Sequence, residues 1–89
     1  MRVHLYLSGT VQGVFFRDFT RRQAKALKIK GWVRNLIDGR VEAVGEGEEK
    51  EINEWLKKLR EGPPGARVTN IEIYYEEPTG EFSDFSIIY

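Results

Sequence analysis

The segment WVRNLIDGRVEAV, Trp32 to Val44, decides the architecture. Trp32 to Leu36 and Arg40 to Val44 are short runs of strand-forming character, and Asp38-Gly39 between them is a strong hairpin signal, because the central positions of such a turn need positive φ. Gly45 follows and reads as a bulge near the end of the returning strand. Helical patterns flank this hairpin on both sides. Upstream, residues 17–29 are dominated by Arg, Lys, Gln, Ala and Leu, all good helix formers. Phe16, Thr20, Ala24 and Leu27 fall on one face of that helix, and Gly31 ends the stretch. Downstream, Glu48 and Glu49 open a second helix, which Lys57, Lys58 and Arg60 close, a polarity that suits the helix dipole. Ile52, Trp55, Leu56 and Leu59 form its apolar stripe, and Gly62-Pro63-Pro64 stops it.

Further out, two period-2 alternations predict half-buried strands. Val3, Leu5 and Leu7 alternate with His4, Tyr6 and Ser8; Ile71, Ile73 and Tyr75 alternate with Asn70, Glu72 and Tyr74. Pro78 to Gly80 breaks the second, and Phe85, Ile87 and Tyr89 make a last strand. The order β-α-β-β-α-β with an extra terminal strand predicts an α+β fold: a ferredoxin-like βαββαβ sandwich, its antiparallel sheet covered on one face by two helices. At 89 residues the chain suits one domain over 1–89. That fold hosts RNA binders, regulatory modules and enzymes alike, so it leaves function open.

Composition narrows the classes. Without Cys there is no disulfide framework and no thiolate nucleophile, and a single His argues against a zinc centre or a catalytic triad. We therefore expect no metal and no cofactor. The apolar runs are too short for a bilayer span and the N-terminus alternates, so a cytoplasmic protein with no membrane partner is expected. The 14 basic and 14 acidic residues cancel overall. Nine bases against two acids leave residues 1–40 at +7, and the remainder at −7. A basic half suggests an anionic ligand, an acidic half disfavours a long nucleic acid footprint, and solvated charged faces would give the same tally.

The loop GTVQGVFF, Gly9 to Phe16, is the most unusual segment. Glycines let it curl, a curled loop can aim successive N–H groups inward as an anion nest, and a helix N-terminus adds free donors. Arg17 adds a planar fork matched to phosphate oxygens. Together these make a site for one phosphate-sized dianion; the alternative is an ordinary β–α connection with a surface arginine. The loop is neither a Walker A loop nor GxGxxG. Asn35 shares a strand face with Val33. Its amide can hold a water through its oxygen while its nitrogen contacts a substrate, or it can simply satisfy backbone at the mouth of the turn. Phe16 reads as core, Phe15 as the mouth of the loop, and His4 as a residue of the open sheet face.

Two stretches, LSGTVQGVFFR from Leu7 to Arg17 and GWVRNLIDGRVEAVGEG from Gly31 to Gly47, resemble the signature segments of the acylphosphatase family. Gly9, Val11, Gln12, Gly13, Val14, Phe16 and Arg17 match the first pattern; Gly31, Trp32, Val33, Asn35, Gly39, Val41 and Gly47 match the second. The resemblance continues through Thr20, Trp55 and the closing Phe85, Ile87 and Tyr89. It implies metal-independent hydrolysis of acyl phosphates to a carboxylate and inorganic phosphate, without a covalent intermediate. It implies that Arg17 binds the phosphate, that Asn35 orients the water, and that backbone N–H groups of Gln12, Gly13, Val14 and Phe15 cradle the anion. One departure is Ile88, where some members carry an arginine. Such a substrate is already activated, so positioning and electrostatics suffice, and with no strong side-chain base a substrate phosphoryl oxygen is expected to take the proton. The expected partner is a small acyl phosphate, the expected state a monomer, and carbamoyl phosphate is an alternative substrate. The competing reading is an RNA platform of Tyr6, Trp32 and Tyr74, against which Glu72 and Glu76 would repel phosphates. A regulatory domain, usually fused to an enzyme, is a third.

Overall fold

A computed structural model describes residues 1–89. Its elements follow in the order β1 (Arg2–Thr10), α1 (Phe16–Ala26), β2 (Lys30–Asn35), β3 (Val41–Glu46), α2 (Glu49–Glu61), β4 (Arg67–Glu76) and β5 (Phe85–Ile87). The five strands form one sheet in the order β4-β1-β3-β2-β5. This is the ferredoxin-like α+β arrangement, with one correction: the sheet is mixed. β1, β2, β3 and β4 pair antiparallel, but β5 pairs parallel with β2, Gly31 opposite Phe85 and Val33 opposite Ile87. The reason is the path of the chain. It leaves β4 at one edge, crosses the end of the sheet and enters β5 at the other edge, so β5 runs the same way as β2.

Alternation places Val3, Leu5 and Leu7 on the helix-covered face, all fully buried, with Val33, Val41 and Ala43 beside them. Phe16, Thr20 and Ala24 of α1 and Ile52, Trp55, Leu56 and Leu59 of α2 meet them. Trp55 is the centre: its Nε1–H donates to Thr20 O at 3.2 Å, and its ring packs edge-on to Phe85 with centroids 5.6 Å apart.

Several bounds differ from expectation: β1 runs on through Gly9 to Thr10, β3 begins at Val41, and β5 stops at Ile87, short of Tyr89. α1 ends at Ala26, before Gly31, because Lys28 takes a left-handed conformation (φ 58°) that turns Ile29 inward; Ile29 N–H bonds back to Ala24 O at 2.8 Å. Gly45 makes no bulge. Its register is regular on both sides, opposite Val3 and Gly31, and the irregularity lies between Ser8 and Gly9 of β1. Gly45 is glycine because Trp55 rests on it: a Cβ would stand 2.5 Å from Trp55 Cζ3.

Candidate active site

The irregularity at Gly9 is where the site begins. Gly9 has φ 122° and lies against β4 so closely that a Cβ would meet Arg67 O at 2.0 Å. Beyond it Val11 is buried, while Gly13 (φ 76°) and Phe15 (φ 60°) are left-handed on either side of Val14, which is not. This alternation of hand curls a chain so that consecutive N–H groups converge. Here the N–H groups of Gln12 through Asp18 donate to no acceptor within the protein; the first to find one is Phe19, to Phe15 O at 3.0 Å. A bulky left-handed residue such as Phe15, 83% exposed, costs about 1–2 kcal/mol in backbone strain, which the loop tolerates in holding this shape.

Five of the residues that carry these donors, Gly13, Phe15, Phe16, Arg17 and Asp18, border a hollow of about 260 Å³. Arg17 and Asn35 line it together, with Gly13 and Phe15 from the loop and Asp18 from the first turn of α1. Val11, Phe16, Ile87 and Tyr89 supply its apolar walls. Arg17 has no carboxylate partner; its guanidinium carbon lies 5.3 Å from the centroid of the Tyr89 ring. The neighbouring Asp18 is held by Arg21 at 3.1 Å and Arg22 at 2.9 Å, which leaves the mouth positive. Asn35 ends β2 on the inward face, and its Oδ1 is buried with no hydrogen-bond partner. Buried acceptors are nearly always satisfied, so such an orphan marks a place where something else donates.

The sequence-predicted residues divide. Arg17, Asn35, Gly13 and Phe15 share the hollow; Gln12 and Val14 do not line it. Val14 packs partly against the core, and the Gln12 side chain turns toward the β2–β3 hairpin. Ile87, Tyr89 and Asp18 were not among the expected site residues. Alternation marked Ile87 and Tyr89 as one strand; β5 stops at Ile87, and its parallel pairing with β2 is what brings both residues to the hollow that Asn35 lines.

The open face of the sheet is saturated with its own partners. His4 Nε2 lies 2.6 Å from Glu42 Oε2, and Arg34 Nε donates to Glu42 Oε1 at 2.6 Å. Burial pushes the Glu42 carboxyl up, but these two hydrogen bonds outweigh it and leave it below the usual carboxylate range. Two rings of the alternative RNA platform carry a guanidinium, Arg40 4.9 Å over Tyr6 and Arg34 5.5 Å over Trp32, while the third, Tyr74, is exposed. No three His, Asp or Glu side chains gather in a way that could hold a metal ion. No helix is long and apolar enough to cross a membrane.

Comparison with known proteins gives the family. The acylphosphatase family model matches residues 3–87. An acylphosphatase of Syntrophus aciditrophicus is 51% identical over 88 residues, covering 99% of this chain and 92% of that protein. The crystal structure of acylphosphatase from Bacillus subtilis superposes with a TM-score of 0.96 at 35% identity, covering 99% of this chain and 98% of that one. The same unit occurs inside a longer protein, HypF of T. kodakarensis, with a TM-score of 0.86 and 35% identity over 12% of its length. With the match running nearly end to end, the chain belongs to the acylphosphatase family.

Proposed function

We propose that this protein hydrolyses the carboxyl–phosphate bond of acyl phosphates through Arg17, Asn35 and the loop amides. The phosphoryl group enters the curl of the loop. Backbone N–H groups of Gln12, Gly13, Val14 and Phe15, with the Arg17 fork, take the non-bridging oxygens and the charge that gathers on them. Asn35 Oδ1 accepts a hydrogen bond from a water and aims its oxygen at phosphorus, opposite the acyl oxygen. The new P–O bond forms as the P–O bond to the acyl group breaks. A weakly basic carboxylate leaves with the bonding pair, and a substrate phosphoryl oxygen takes the water proton. No step calls for a metal ion, a covalent intermediate or a strong side-chain base. We take the acting form to be a cytoplasmic monomer whose partner is the small substrate alone, with neither nucleic acid nor membrane involved.

The observation that carries this reading is that Asn35, whose Oδ1 is buried and unpartnered, lines one hollow with Arg17, Gly13 and Phe15. The test is steady-state hydrolysis of acetyl phosphate with a chelator present. On the magnitudes typical of such donors, Arg17→Ala and Asn35→Ala each lower turnover by roughly 10²–10³. Arg17→Ala also weakens competitive inhibition by inorganic phosphate, whereas Asn35→Ala leaves it nearly intact. Near-normal turnover in both variants, or loss of wild-type turnover on chelation, overturns the reading. Carbamoyl phosphate, the alternative substrate, is assayed alongside.

A further inference from the structure

The proposed site is split between two segments that share no backbone hydrogen bond: the β1–α1 loop, which offers the anion donors, and the end of β2, which offers Asn35. One side chain bridges them. Gln12 Nε2 donates to Leu36 O at 2.7 Å and to Arg40 O at 2.9 Å, spending both amide protons. Those two carbonyls bracket the β2–β3 turn and are already tied to it, since Leu36 N–H donates to Arg40 O at 2.8 Å and Gly39 N–H to Leu36 O at 3.2 Å. The clamp is therefore anchored on a closed turn. On one side it is one peptide from Gly13, and on the other one peptide from Asn35.

We infer that Gln12 is a positioning residue whose side-chain carboxamide sets the separation between the phosphate-holding loop and the Asn35 amide. The inference rests on the function proposed above and adds a role distinct from the Gln12 backbone N–H. The residue type fits the task. A primary amide is planar and directs two protons toward two acceptors. A Glu would present lone pairs to two carbonyl oxygens, and an Asn is one methylene shorter. The Arg40 guanidinium faces away, held by Asp38 at 2.8 Å and lying over Tyr6, so it does not substitute. In-line attack tolerates little slack: a misplacement of about 1 Å costs on the order of 10² in rate.

A clamp of this kind acts on turnover through Asn35, and a double-mutant cycle separates that from a general loss of structure. Gln12→Ala keeps the backbone donor. Gln12→Met also keeps the bulk of the side chain and serves if the alanine variant folds poorly. Each is compared with wild type for acetyl phosphate turnover and for inhibition by inorganic phosphate. We expect kcat to fall about tenfold and the phosphate inhibition constant to move less than about threefold. In an Asn35→Ala background, the same Gln12 change lowers kcat by less than about twofold, because no amide remains to be positioned. Equal losses in the two backgrounds, an unchanged kcat, or a loss of phosphate affinity matching the loss of kcat overturns the inference. If Asn35→Ala itself turns over normally, the reading of the site fails first, and the inference with it.

Discussion

Gly45 shows how much a single missing atom decides. It lies in β3 on the inward face, and an added Cβ would stand 2.5 and 2.8 Å from Trp55 Cζ3 and Cη2. Trp55 has nowhere to withdraw, being fully buried against Phe85 and tied to Thr20 O. Gly45→Ala is expected to destabilise by about 1–3 kcal/mol, the cost of overpacking a rigid core. Urea unfolding should show this as a lower midpoint with an unchanged slope, and an unchanged midpoint would mean that the indole is free to shift. A glycine inside a strand pattern announces either a bulge or a close approach. Nothing local chooses between them, because the group that approaches is a tryptophan on the following helix. Asn35 is similar. Strand alternation puts it on the face of Val33, but the hollow it shares with Arg17, Ile87 and Tyr89 exists only once α1 and the C-terminal strand have packed beside β2.

At the scale of the element, α1 illustrates what composition reads and what it misses. The run of helix formers after Phe16 marks the helix. Its end is set by Ile29, whose burial requires the chain to turn before it, and Lys28 takes the left-handed conformation that makes the turn. Glycine is the usual residue at that position. Lys28→Gly removes the side-chain strain at the cost of a more flexible unfolded chain, and is expected to stabilise by roughly 0.5–1 kcal/mol. Thermal unfolding should report a higher midpoint with turnover unchanged; a lower midpoint would show that the lysine contributes more than its conformation costs. α2 was more legible than α1, because its stripe, charge polarity and Gly-Pro-Pro stop all agree.

Across the whole molecule, the crossing from β4 to β5 is tied down by Glu46 and by Arg2, which also pairs with Glu76 at 2.8 Å and Glu81 at 2.7 Å. Glu46 accepts from Arg2 at 2.8 Å, from Thr79 N–H and Oγ1 at 3.1 Å each, and from Gly80 N–H at 3.0 Å. Burial pushes its carboxyl up, but Arg2 and the backbone donors outweigh this and hold it at about 2, against an ordinary value of 4.5. The stabilisation is complete above the unfolded value and is lost as pH falls from there toward about 2. Thermal stability should therefore drop from about pH 5 toward about pH 2, and Glu46→Gln should make that limb shallower while lowering stability at neutral pH, the rest of the limb belonging to groups such as Glu76 and Glu81, which Arg2 also holds below the usual carboxylate range. An equally steep limb in the variant would place the proton uptake elsewhere. Because this crossing delivers Phe85 to the core and Ile87 and Tyr89 to the hollow, the acid transition is expected to loosen the site as well.

The strands, both helices, the central hairpin and the segments carrying Arg17 and Asn35 were determined by the sequence alone. Those features depend on side chains within a few positions of one another, and periodicity, caps and turn residues report such neighbours directly. Only the tertiary structure decided the parallel edge strand, the contact beneath Gly45, the Gln12 clamp and the apolar walls at Ile87 and Tyr89. Each joins groups from distant parts of the chain. Such contacts form only when the core has packed and the strands have taken their places in the sheet.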